Sequence, residues 1–214
     1  MTGILIGYGY HRRLLRFGEA PGAASGLQNW SRLEENKHGS APTLHKAALA
    51  YARRGVPVFP CEPGAKRPLT QNGHWDATTN QRAIRRWWQR WPSANVGVPT
   101  GKKSGVVVLD VDVDDGGLES LAKLERAGAP TPKTARVRTG GGGIHVFFRY
   151  PRGTEIRNSA GLLGAGLDVR GEGGYVVVPP SRTRSSYQWV DSSSLAEASW
   201  LIDRLTQGDE VTLF

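Results

Sequence analysis

The residues best suited to chemistry in this chain are two aspartates one residue apart. Asp110 and Asp112 close the run Gly105-Val-Val-Val-Leu109, which is short, β-branched and opened by glycine, and so reads as a buried strand rather than a helix. Alternation along a strand turns both carboxylates to one side, roughly 6–7 Å apart. Their repulsion costs free energy unless a cation or a partner offsets it. One or two Mg²⁺ or Mn²⁺ ions, which take oxygen ligands, would do so. A solvated strand end is the plainer alternative.

Two further segments carry groups of the same kind. Gly140–Gly143 precede His145. Consecutive glycines let backbone N–H groups approach a ligand closely. A strand starting at Ile144 turns His145 away from Ile144 and Val146, where it can donate to a phosphate or sugar oxygen. A hairpin tip beside a structural histidine fits the same residues. In Gly166-Leu-Asp-Val-Arg-Gly171, Asp168 and Arg170 share one strand face, opposite Leu167 and Val169. The pair offers a metal-type carboxylate and a phosphate-binding guanidinium, or a simple surface ion pair. The run Glu172-Gly-Gly-Tyr-Val-Val-Val-Pro-Pro-Ser181 follows.

The elements that must position these residues can be read from period and punctuation. Residues 1–42 show no sustained period and read as a flexible arm. Leu44, Ala47, Ala48 and Tyr51 recur at helical spacing, with Thr43 as cap and Gly55 as stop. A short strand is expected over Val56–Pro60, then a basic turn at Pro63–Pro68. A second helix is expected from Asn80 to Trp91, capped by Thr78 or Thr79, with Ile84, Trp87, Trp88 and Trp91 inward and four arginines outward. A third helix contains Leu118, Leu121 and Ala122 and stops at Gly128. Strands follow at Ala135–Arg138, Ile144–Tyr150, Leu167–Val169 and Tyr175–Val178, then a helical stretch over Leu195–Leu205. Short glycine turns between strands describe an α+β chain with a largely antiparallel sheet.

The chain's 214 residues suffice for one large domain or two small lobes. Of its net charge of +9, little comes from residues 1–42, with five Lys/Arg against three Asp/Glu. A basic body points to a polyanionic partner, and to nucleic acid over a membrane. The single cysteine, Cys61, excludes an internal disulfide and a Cys-rich zinc site, and fits a reducing compartment. Gly3–Tyr10 is too short and glycine-broken to span a bilayer and is followed, not preceded, by arginines, so no signal peptide or anchor is expected and the location is read as cytoplasmic.

The order of the motifs is more informative than each alone: Asp-x-Asp at a strand end, a glycine turn then His145, Asp168 two before Arg170, then Gly-Gly-Tyr-x-Val-x-Pro-Pro-Ser. Upstream stand Val58-Phe-Pro60, Gly64-Ala-Lys66-Arg-Pro68, Trp87-Trp88, Asn95-Val-Gly97 and Thr100-Gly101. From about Ala47 to Val190 this resembles the primase–polymerase domain of bifunctional DNA primase/polymerases, in the archaeo-eukaryotic primase superfamily. The resemblance implies an N-terminal α/β module and an RRM-like catalytic core, a two-lobed catalytic domain over residues 43–190, and a C-terminal helix and tail over 191–214. It implies template-directed nucleotidyl transfer from (d)NTPs, with two Mg²⁺ or Mn²⁺ ions, during replication of a plasmid or phage. By motif, Asp110, Asp112 and Asp168 would bind the metal; His145, Lys66 and Arg170 would contact the nucleotide; and Ser181 would line its pocket. Asp114 and Asp115 are expected to be peripheral. The implied partners are single-stranded DNA template and primer, nucleoside triphosphates and a separate helicase. The alternatives are a non-catalytic single-stranded DNA-binding module of the same fold, or a different two-metal nuclease or nucleotidyltransferase.

Overall fold

The computed structural model describes residues 43–128 and 130–210. The expected arm at 1–42 lies outside the described residues, as do residues 211–214. Helix α1 spans Leu44–Arg53 and buries Ala47, Ala48 and Tyr51; the Thr43 hydroxyl accepts from Lys46 N–H at 3.4 Å. Gly55, at φ 79°, supplies the left-handed residue that ends it. Strand β1 is Phe59–Cys61, shorter than expected, with Val58 adding a single bridge to Thr78. Cys61 is fully buried, and burial, helped by the charge of Glu62, pushes its thiol up to about 12.

A short 3₁₀ turn at Gly73–Asp76 leads to α2, Gln81–Arg90. Asn80, not a threonine, is its cap: Asn80 Oδ1 accepts from Arg82 and Ala83 N–H at 2.9 and 3.1 Å. Thr78 instead accepts from Asn80 N–H at 3.1 Å. Ile84 and Trp88 are buried, Trp87 and Trp91 pack partly against the core, and the arginines face out. Strands β2 (Asn95–Pro99) and β3 (Val106–Val111) precede α3 (Gly117–Ala127). Then come β4 (Arg136–Arg138), β5 (Ile144–Arg149), β6 (Ser159–Ala160), β7 (Leu167–Arg170), β8 (Tyr175–Val178) and β9 (Gln188–Asp191). The expected last helix starts late: Ala196–Glu197 form β10, and α4 covers Ser199–Glu210.

The fold is mixed α/β with mostly antiparallel sheets. One sheet has the order β1-β2-β8; the larger runs β6-β7-β3-β5-β4-β9, with β10 on β5. Among these ladders only β10–β5 is parallel. The apolar run of β3 is continuous because the large sheet is buried on both faces. Val106 and Val108 join a core with α1, α2 and the small sheet, while Val107, Leu109 and Val111 join Leu121 of α3 and Leu201 of α4. In β5, Phe147 faces the first core and Phe148 the second.

Candidate active site

The pairing of β3 with β5 and β7 decides where the chemical groups meet. Asp110 registers with His145 on one side and with Asp168 on the other. Directly opposed residues share a sheet face, so the three form a row across adjacent strands. His145 Nε2 lies 3.4 Å from Asp110 Oδ1. Arg170, one strand pleat along from Asp168, reaches back with Nη2 to Asp168 Oδ2 at 2.9 Å and to Asp110 Oδ2 at 3.4 Å. Four of the residues singled out in the sequence thus converge at the middle of the large sheet.

Asp110 lines two cavities, and Asp168 lines neither of them. One, of 260 Å³, is lined by Lys66, Asp110, His145, Arg170, Asn158 and Tyr175, among others. The other, of 330 Å³, shares Lys66 and Asp110 and adds Asp112, Thr139, Gly143 and Thr183. Lys66 sits on a loop with no regular structure, so something must hold that loop to the sheet. Asn95 does: buried at the start of β2, its Nδ2 donates to Ala65 O at 2.9 Å and to Arg182 O at 2.8 Å, and its Oδ1 accepts from Arg182 N–H at 3.0 Å. Ser181 is equally buried, and its hydroxyl accepts from Val96 N–H at 2.8 Å. It lines neither cavity; its hydroxyl ties the segment after Pro180 to β2.

Asp112 departs from its expected setting. Strand β3 ends at Val111: Asp112 N–H still donates across to Gly166 O at 2.8 Å, but the Asp112 carbonyl accepts from Gly117 N–H at 2.7 Å, in the turn into α3, instead of from β7. The Asp112 carboxylate is exposed and caps that turn, Oδ1 accepting from Asp114 N–H at 3.0 Å. Asp110, in the strand, and Asp112, one residue beyond its end, line one cavity together. Asp114, expected to be peripheral, lines the same cavity and pairs with Arg184 at 2.9 Å. The glycine turn has a packing reason: a Cβ on Gly143 would run into the carbonyl oxygen of Val111, at the end of β3.

His145 is 3% exposed. Burial pushes its pKa down to about 4, and the positive charges of Lys66 and Arg170 add to this against the pull of Asp110. The ring is thus neutral at neutral pH, and its Nδ1 is buried with no hydrogen-bond partner among the described residues. Among the described residues, no three His, Cys, Asp or Glu side chains form a ready-made metal cage. Asp110 and Asp168 do stand side by side with a cationic group already bridging them. Hard oxygen donors from two carboxylates, completed by water and phosphate oxygens, are how Mg²⁺ is commonly held. Two such carboxylates fit a divalent cation whose remaining ligands come from outside the protein.

Several lining residues carried no assigned role in the sequence reading. Asn158, whose Oδ1 accepts from Gly171 N–H at 2.8 Å, stands in a segment without period. Tyr187 follows the last recognisable motif, while Tyr175 lies inside the Gly-Gly-Tyr motif, which is the one local signal. No helix among the described residues is long and apolar enough to cross a membrane. No match was found among curated proteins. A family model described as the N-terminal domain of bifunctional DNA primase/polymerases matches residues 48–200, which contain every residue of the Asp110 site. With most of its length so matched, and with the motif residues gathered around Asp110, the chain belongs to the bifunctional DNA primase/polymerase family.

Proposed function

We propose that this protein is a template-directed DNA primase/polymerase that transfers nucleotides from (d)NTPs to a primer 3′-hydroxyl or to an initiating nucleotide, in the replication of a plasmid or phage. The observation that supports this best is the row His145–Asp110–Asp168, whose central carboxylate lines two cavities that also share Lys66. In this reading the large sheet is the RRM-like catalytic core. Asp110, Asp168 and, at the rim, Asp112 would hold two Mg²⁺ or Mn²⁺ ions, which when bound neutralise the triphosphate and stabilise the departing pyrophosphate.

The protein's own contribution is positioning and charge. Arg170 exchanges its carboxylate partners for phosphate oxygens as the triphosphate enters, and Lys66, which lines the same cavity, meets the same phosphates. Neutral His145 uses one ring nitrogen to steady Asp110, and its ring forms part of the wall of the cavity that takes the nucleotide. The 3′-hydroxyl oxygen, its proton passing to water, then bonds to the α-phosphorus as the bond to the bridging β-phosphate oxygen breaks and pyrophosphate leaves. Two cavities meeting at one carboxylate suit a reaction between two nucleotide-bearing ends better than simple hydrolysis.

A primer-extension assay with Mg²⁺ or Mn²⁺ tests the proposal. Asp110→Asn keeps the shape and removes the charge, so extension should fall roughly 10²-fold or more while the thermal midpoint holds. Extension by the variant at the parental rate sinks the proposal. DNA binding without any product from the wild type would favour the non-catalytic module, for which Arg170 would be a permanent partner of the two aspartates.

A further inference from the structure

Helix α2 is unusual in charge. Its ten residues include Arg82, Arg85, Arg86 and Arg90 and no acid. All four arginines are exposed, and none has a carboxylate partner among the described residues. Between this helix and the segment 69–76 lies a recess of 530 Å³. Arg86, Trp87, Arg90 and Trp91 form one wall; residues 69–71 and Asp76 form the other. Asp76 forms no ion pair with these arginines among the described residues; its two oxygens accept from Asn72, each at 2.9 Å. Trp87 and Trp91 are anchored on the core yet half-exposed, and the Arg90 guanidinium lies 4.8 Å from the Trp91 ring centre, widening the stacking surface.

The segment 69–76 has a second side, and that side faces the Asp110 cavity. His74 stacks on Tyr175, with ring centres 5.4 Å apart, and Tyr175 lines the cavity. Trp75 is 59% exposed, yet its ring passes within 3.8 Å of the Cβ position of Gly173, another lining residue. The basic aromatic recess and the catalytic cavity are thus separated by one short stretch of chain, with an exposed tryptophan at its crest.

We infer that the recess and Trp75 form the track by which single-stranded DNA reaches the Asp110 cavity. The α2 arginines take successive backbone phosphates, and the tryptophan faces stack unpaired bases. A duplex would meet the arginines but keep its bases from the rings. An acidic peptide would leave three tryptophans without a planar partner. The inference rests on the polymerase reading only in treating the bound strand as the template.

Fluorescence anisotropy of a labelled oligothymidine, with the full chain and no nucleotide, tests the track across about 50–200 mM salt. In Arg86→Gln/Arg90→Gln the slope of log affinity against log salt should shrink by about 1.4, the value for two lost single-strand phosphate contacts. Trp75→Ala should weaken binding about fivefold or more at fixed salt. All three substitutions fall on exposed side chains, and Arg86→Lys/Arg90→Lys should retain the slope, which separates lost charge from lost structure. Parental affinity and slope in all variants would overturn the track and leave the polymerase reading standing. Equal or tighter binding of a duplex of the same length would also overturn it. A wild type that binds triphosphate but no single strand would overturn both.

Discussion

Asp110 sits in the middle of a sheet, where a carboxylate is stable only if its charge is answered. Here Arg170 answers it directly, while a nearly buried His145 stays neutral beside it. That neutrality has a measurable consequence in metal-free protein. The unfolded chain takes up a proton on His145 near its ordinary value of 6.5, but the folded chain does so only near 4. Between these values the unfolded state binds more protons, so the stabilisation present above pH 6.5 is lost as pH falls towards 4. The loss attributable to this one ring is roughly 3 kcal/mol. Thermal midpoints of wild type and His145→Gln, compared across that window in chelator, check it: the variant should lose less on acidification. Parallel curves would mean that another group governs the acid limb.

At the scale of elements, α2 carries the basic face and depends on a single cap. Asn80→Ala removes an acceptor for two otherwise unpaired backbone donors and should cost about 1 kcal/mol. A fall in thermal midpoint, larger than that of Thr79→Ala, checks this; equal effects would place the cap elsewhere. This cap also marks the boundary of what sequence could say. The helical stripe of Ile84, Trp87, Trp88 and Trp91 was legible because its period is local, but choosing among Thr78, Thr79 and Asn80 requires a starting residue that the period does not give. Asp110, His145, Asp168 and Arg170 were legible as strand residues with chemical side chains, and alternation alone gave their faces. Asp112 falls one residue past the strand because its carbonyl turns to Gly117 N–H at the start of α3, a contact that alternation along the strand does not encode. Ser181 looked like a pocket residue and is a buried tie to Val96, while Asn95, which holds the Lys66 loop, stood in a quoted motif without a role. Strand β9 escaped notice because its exposed members, Val190 among them, give an edge strand little apolar alternation.

At the scale of the molecule, β3 and β5 serve both cores at once. Val107 and Val108, or Phe147 and Phe148, are neighbours in sequence and belong to opposite faces. Neither core can come apart while those strands stay paired, so the described body should unfold in one transition. Ile84→Ala in the first core and Leu201→Ala in the second should each cost about 2–5 kcal/mol and move the same midpoint. Two separable transitions, each moved by only one variant, would show lobes that fold independently.

The buried thiol of Cys61 bears on how such experiments can be done. The chain's one cysteine is sealed inside the first core with its thiolate disfavoured up to about pH 12, so thiol-directed dyes and spin labels meet nothing to react with on the native protein. A cysteine introduced at exposed Gln71, on the rim of the α2 recess, would be the sole reactive sulfur, and its signal would come from that rim alone, with the natural sequence left otherwise untouched.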